Sequence, residues 1–386
     1  MSWIVVLGLA LGVTVSNAFA RFAYGIILPE MQADLIWSFT EAGWLNTANS
    51  IGYIVGALGT FAVGHRVDSG KVFAIGLLIT SISILASGLG TSLTYLTVCR
   101  VVAGMAGAPV FISGGALAAK LFQDSPKDNA LAIAAYYGGA GLGMLLSGST
   151  LPVLFDIYGP SFWSQSWIWL GTASLIVSPI SIWAALKVKD ECAVKSSSLG
   201  LPFIALLPAL TAYTLFAACY IVFLTFSVAW ASQSDLTVLS ISAAWCAIGI
   251  GIIVSPFVWR HVLFRFNSGV PLALACLLTG CSMISSVFFQ STLWFICSSF
   301  IFGLAVFAGP GAVTNYVRKN FDQVQWHQAI SLFTLFFAIG QSIGPVTAGF
   351  VSDTTGELET ALVAAGAVLI VATLISLRQS PIQSTQ

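Results

Sequence analysis

The chain has 386 residues, 58% of them apolar and only 7% charged, with a mean hydropathy of +0.95. A soluble domain has roughly a quarter of its residues charged, so this composition excludes one. Fourteen Lys and Arg balance fourteen Asp and Glu, and a net charge of zero offers no basic footprint for nucleic acid.

About 20 mostly apolar residues cross roughly 30 Å of hydrocarbon as a helix, and in lipid only helices or closed barrels pair every backbone amide. The apolar runs here are too long for barrel strands. They predict an all-α integral membrane protein with twelve transmembrane helices, over residues 3–29, 41–63, 72–90, 93–119, 129–154, 163–186, 202–230, 240–259, 270–290, 293–317, 327–350 and 360–377.

The first span passes through Ser16-Asn17-Ala18-Phe19-Ala20, which has the small residues of a signal cleavage site. No basic region precedes it and the apolar pattern runs on to Pro29, so the segment is expected to stay as a span. Asn17, Arg21 and Tyr24 fall on one i, i+4, i+7 stripe of it. The second span carries Asn46 and Asn49 and is followed by the charged turn GHRVDSGK, with Arg66, Asp68 and Lys71. The fourth contains Arg100. The fifth holds Gly139, Gly143 and Gly148 beyond Tyr136 and Tyr137. A polar connection, KVKDECAVKSSSLG over 187–200, separates residues 1–186 from 201–386 and is too short to fold by itself. Tyr213 and Tyr220 lie in the seventh span, Arg265 after the eighth, Ser299 and Asn315 in the tenth, and Gln341 in the eleventh. The seven cysteines form no CxxC pair, which indicates neither a metal site nor a disulfide framework.

Twelve of the fourteen cations fall in every second connection or at the C-terminus: Arg66, Lys71, Lys120, Lys127, Lys187, Lys189, Lys195, Arg260, Arg265, Arg318, Lys319 and Arg378. Cationic loops stay in the cytoplasm, so both termini are expected there. The other two, Arg21 and Arg100, lie inside spans.

A shift of 199 residues superposes Ile51 on Ile250, Gly52 on Gly251, Arg66 on Arg265, Gly104 on Gly303 and Lys120 on Lys319. A shift of 201 brings Gly139, Gly143 and Gly148 onto Gly340, Gly344 and Gly349. Two six-helix halves follow, and because six is even they run in parallel, about an axis along the membrane normal.

Two such repeats, the turn GHRVDSGK with its echo RFNSG, and Arg100 with Gly104 and Gly107 resemble the major facilitator superfamily (MFS) over the whole chain. The segment RFAYGIILPEM is similar to its bacterial YbfB/YjiJ-like group. That resemblance implies an MFS transporter of the bacterial inner membrane, acting as a monomer by alternating access without a cofactor. It also implies that the first, fourth, seventh and tenth helices line a central cavity and that Arg66, Asp68, Lys71 and Arg265 serve conformational gating. The chain departs from the pattern: His65 precedes Arg66 where the superfamily has Asp, Asp68 stands in a Gly place, and Met144 follows Gly143 where proton-coupled exporters have Pro.

Counted from Pro29 and Ser92, Arg21 and Arg100 each lie about 12 Å below the outer surface. A charge near the bilayer centre costs at least about 2.5 to 3.5 kcal/mol, so it ordinarily faces a cavity and a partner. All fourteen carboxylates fall in loops or at span ends. A guanidinium keeps its proton and presents a planar fork to carboxylate or phosphate oxygens, so an anionic small-molecule substrate is the simplest missing partner. The bland alternatives are that Arg21 snorkels to Glu30, or that Arg100 bonds backbone carbonyls between helices. The expected site is Arg21, Arg100, Tyr24, Asn17, Tyr213, Tyr220 and Ser299, with Tyr220 and Ser299 the repeat mates of the two arginines. No GxxxxGK[ST] motif occurs, so an ion gradient, with protons first, is the expected driving force. The function expected is secondary transport of a small organic anion. The alternative is a proton-coupled exporter of drugs or hydrophobic metabolites. A receptor or enzyme is not supported, since no nucleophile with a base and no extramembrane domain is present.

Overall fold

The computed structural model describes residues 2–63, 67–188, 201–234, 236–289 and 291–382, and among them all regular structure is helical. Twelve rods follow one another: α1 Ser2–Leu35, α2 Phe39–Val63, α3 Ser69–Ala86, α4 Leu93–Ala119, α5 Pro126–Tyr158, α6 Trp163–Lys187, α7 Phe203–Gln233, α8 Val238–Arg265, α9 Val270–Phe288, α10 Thr292–Asn320, α11 Gln323–Thr355 and α12 Leu358–Leu377. Eleven are long and apolar enough to cross a membrane. The exception is α2, whose first half carries Asn46, Thr47, Asn49 and Ser50. These four are buried against other helices, so the low hydropathy reflects interior polar packing and not a surface position.

The first and eighth predicted spans end too early: α8 runs to Arg265, past the expected 259, so Arg260 and Arg265 lie in its last turns and not after it. Pro29 lies inside α1, which runs to Leu35, and Arg21 is therefore deeper than a count from Pro29 places it. Proline forfeits a single amide bond, and in a membrane bundle neighbouring groups compensate for it. Two rods are irregular. α1 widens into a π-helix over Thr14–Phe22, and α10 breaks at Phe307.

Some helix ends 199 residues apart are capped alike. Ser92 caps α4 by accepting from Tyr95 N, and Ser291, 199 residues on, caps α10 by accepting from Trp294 N. α5 and α11 each stop on a glycine with positive φ, Gly159 at 80° and Gly356 at 77°, where a side chain would be strained. Gly139 and Gly143 pack α5 on α1, and Gly340 and Gly344 pack α11 on α7. The third glycines of each set, Gly148 and Gly349, cross to the other half, against Trp245 of α8 and Phe39 of α2.

An even number of crossings places both termini at one face. The halves α1–α6 and α7–α12 meet nearer the opposite, far face. Gly43 leaves no room for a methyl beside Pro345, nor does Gly25 beside Leu224, and Gly141 and Gly249 abut reciprocally. Polar contacts join the same seam. Ser242 Oγ donates to Gly148 O at 2.5 Å and Asn46 Nδ2 to Thr225 Oγ1 at 2.6 Å. At the outermost point Asp353 of α11 caps α2, accepting from Phe39 N and Thr40 N at 2.8 Å each. Ser38 and Glu41 complete that helix start as a capping box. Toward the terminal face the halves part, leaving a cleft of about 470 Å³ lined by Ile54, Leu58, Phe61, Phe203, Gln328 and Leu335 among others. A second cleft, of about 290 Å³, lies between the halves nearer the far face, beside Glu30, Asp156, Val228 and Ser232.

Candidate functional site

The site begins with the irregular part of α1. Ala23 N bonds Ala18 O at 2.7 Å, an i→i−5 contact that marks the wider turn. Small residues on two neighbours hold it. Thr14 Oγ1 donates to Gly139 O at 2.8 Å, Gly143 lies against Thr14 and Ala18, and Gly107 faces Ser16 O. The wider turn breaks the 3.6-residue stripe expected of Asn17, Arg21 and Tyr24. Arg21 points toward α2 and α11, while Tyr24 points toward α4 and α6.

Arg21 is 5% exposed. Its Nη2 donates to Ser50 Oγ at 2.9 Å and to Gln341 Oε1 at 2.7 Å, and its guanidinium lies 5.3 Å from the Tyr53 ring. Its Nε is buried without a partner, and Nη1 makes no hydrogen bond among the described residues. Gln341 is held from its other end, since its Nε2 donates to the Tyr220 hydroxyl. Arg21 and its repeat mate Tyr220 thus share one amide.

Arg100 has a different setting. It is 1% exposed and sits between the rings of Tyr24, at 5.0 Å, and Trp167, at 5.3 Å. Its Nη1 donates to Ala20 O at 2.5 Å, while Nε and Nη2 are enclosed without partners. A desolvated cation–π contact is worth about 2 kcal/mol and a hydrogen bond to a charged group about 1.5 to 3 kcal/mol. Arg100 thus has two rings and one carbonyl acceptor, and Arg21 one ring and two neutral acceptors, each set comparable with the cost of about 2.5 to 3.5 kcal/mol for a charge in the membrane. The two charges are near enough to repel, and among the described residues neither has a carboxylate partner.

The remaining expected residues divide. Tyr213 and Tyr220, 5% and 4% exposed, join a cluster with Phe337 of α11, whose ring centroid is 4.7 Å from Tyr213 and 5.8 Å from Tyr220. Tyr24 is fully buried, its hydroxyl donating to Ala42 O at 2.7 Å. Asn17 is near Arg21 in sequence but makes no hydrogen bond among the described residues, and Ser299 is enclosed with its hydroxyl unpartnered. Asn49 Nδ2 donates to Arg100 O at 3.1 Å, tying α2 to α4. Asp68 caps α3 through Lys71 N, and Arg265 lies over Phe266. Arg66 and residues 189–200 of the connection are outside the described residues.

Ser50, Tyr53, Trp167 and Phe337 were missed. Asn46, Ser50 and Tyr53 form an i, i+4, i+7 polar stripe on α2 that would have found two of them. Nothing local distinguishes Trp167 or Phe337. Among the described residues no group of three or more His, Cys, Asp or Glu could hold a metal.

A family model described as "Uncharacterised MFS-type transporter YbfB" matches residues 13–377. No curated protein matches the chain in sequence. Among solved structures, a POT family transporter in complex with a thioalcohol-conjugated peptide is similar at TM-score 0.75 and 14% identity, with 96% of this chain and 94% of that one covered. A bacterial homolog to the human lysosomal transporter Spinster, inward-facing and unoccupied, gives 0.74 and 15%, covering 97% and 96%. A nucleoside transporter gives 0.73 and 11%, covering 97% and 99%. At these identities the likeness is one of fold.

Proposed function

We propose that this chain, which belongs to the YbfB-like family of major facilitator superfamily transporters, moves a small organic anion by alternating access, with Arg21 binding the anion's charge. The observation that carries this reading is the Arg21 guanidinium itself. It is buried where the two halves meet, it keeps Nε unpaired and Nη1 unbonded, and no acidic partner is described for it. A planar fork with free N–H groups suits a carboxylate. Rocking of one half against the other then carries the site from one face to the other. Gln341 and Tyr220 are proposed to complete the first contacts, and Tyr213 to close over the uncharged part. Arg100 is assigned to the same site from behind, where it holds Ala20 O and with it the segment that presents Arg21; Tyr24 is its ring partner. Asn17 and Ser299 are the proposed secondary contacts, and Asp68, Lys71, Arg66 and Arg265 the cytoplasmic gate.

The alternation of Lys and Arg among connections supports cytoplasmic termini, and the resemblance to the bacterial YbfB-like group supports an inner-membrane location. A proton gradient is the driving force assigned, and monomers are the working unit. Uptake of labelled carboxylates into proteoliposomes, with and without an imposed pH gradient, tests the whole reading. Arg21→Ala should abolish it and Arg21→Lys should lose most of it, because an ammonium cannot reproduce the fork. Unchanged uptake by Arg21→Ala, or efflux of cationic dyes in place of carboxylate uptake, would remove the anion reading.

A further inference from the structure

Arg21 sits in the seam between α2 and α11, held by Ser50 of one and Gln341 of the other. The cleft of about 470 Å³ that opens toward the terminal face is walled by the same two helices. Its innermost wall residues are Ile54, one turn beyond Ser50 on α2, and Ala338, one turn beyond Gln341 on α11. At 1.5 Å per residue the cleft begins about 4.5 to 6 Å along the helix axes from the groups that hold Arg21, and it runs on about 15 Å from Ala338 to Gln328. Of the two Arg21 nitrogens without a bond only Nε is enclosed, so Nη1 meets open space. The walls are almost all hydrocarbon: Ile54, Ala57 and Leu58 face Leu332, Leu335 and Ala338. Of the polar lining, Thr334 is bonded to Ile330 O, and Gln328 stands at the mouth. Ligand sites are mostly apolar clefts of this size with a few polar groups that fix orientation. Here the fixing group is a cation beyond the inner end of a hydrocarbon slot.

We propose that the substrate class of this site is an unbranched aliphatic monocarboxylate of medium length, with the carboxylate on the free edge of Arg21 and the chain lying in the cleft between α2 and α11. The assignment rests on the anion reading given above and narrows it. One carboxylate is specified because, among the described residues, no charged side chain lines the cleft to meet a second, and Arg100 is enclosed by Tyr24 and Trp167 and already bonded to Ala20 O. A hydrocarbon chain is specified because a polyhydroxylated acid would leave its hydroxyls unpaired against methyl and methylene walls, at a cost for each. A staggered chain advances about 1.25 Å per carbon. The first four carbons therefore cover the stretch beside Ser50 and Gln341, and the next four enter the cleft.

The test is calorimetric binding of four probes to the purified full-length protein: butanoate, hexanoate, octanoate and neutral octan-1-ol. Octanoate is expected to bind tightest, with hexanoate about tenfold weaker, since each buried methylene is worth up to about fourfold. Octanol should be weaker than octanoate by ten- to a hundredfold, for want of the charged hydrogen bond. Leu58→Asn and Leu335→Asn, both at exposed wall positions, should weaken octanoate several-fold and leave butanoate unchanged. Equal binding of the three acids, lost in Arg21→Ala, overturns the chain assignment while the anion reading stands. A preference for octanoate that is unchanged in both wall variants places the chain outside the cleft and overturns the assignment as well. Octanol bound as tightly as octanoate, and unaffected by Arg21→Ala, overturns both readings. No binding of octanoate overturns the assignment.

Discussion

The two halves carry the same six-helix plan and differ in charge. Position 21 holds an arginine in a widened turn of α1, and its mate 199 residues on is Tyr220 in the unbroken helix α7. Position 100 holds an arginine bonded to a backbone carbonyl, and its mate Ser299 is a buried hydroxyl with no partner. Among the described residues, the buried cations Arg21 and Arg100 both belong to the first half, and their mates in the second are neutral. A site built this way keeps its anchor fixed in one half while the second half moves over it. The irregular backbone also falls where the charge is. A widened turn exposes carbonyls, and Ala20 O accepts from Arg100 of α4.

The largest test of that asymmetry is to move the charge. Arg21→Tyr alone should weaken carboxylate binding about a hundredfold, the upper range for losing a charged hydrogen bond. Adding Tyr220→Arg should recover about tenfold, since both positions reach Gln341. Failure to recover would show that the first half's setting matters beyond its charge. Next, Arg100→Leu should cost about 1 to 3 kcal/mol in thermal or denaturant unfolding, by stranding Ala20 O, and should weaken anion binding as well. A stability loss with binding intact would separate Arg100 from the site. Asp353→Asn, on the second half, should weaken far-face closure by about 1 kcal/mol, the typical value of a helix cap. Spin-label distances between the far ends of α2 and α11 would lengthen on average, and unchanged distances would deny the cap a gating role. The smallest effect is expected from Ser299→Ala, within about 0.5 kcal/mol, because its hydroxyl has no bond to lose.

Much of this was legible in the residues. Run length defines the rods, because bilayer thickness and backbone pairing leave few alternatives. Mid-span position alone singled out Arg21 and Arg100. What separated their surroundings was not legible. The segment TVSNAFARF has no mark of a π-helix, which depends on Gly139, Gly143 and Gly107 from other helices. Trp167 encloses Arg100 from a helix some 67 positions away in sequence. Pro29 misled because proline ends helices in water more readily than in a packed bundle.

Gln341 behaves toward Arg21 as a guest would, offering a carbonyl oxygen to the fork from the opposite half. On the anion reading proposed above, a carboxylate on the free Nε edge would share the Arg21 guanidinium with the Gln341 oxygen that ties the halves together. Cargo and seam would then meet at a single side chain.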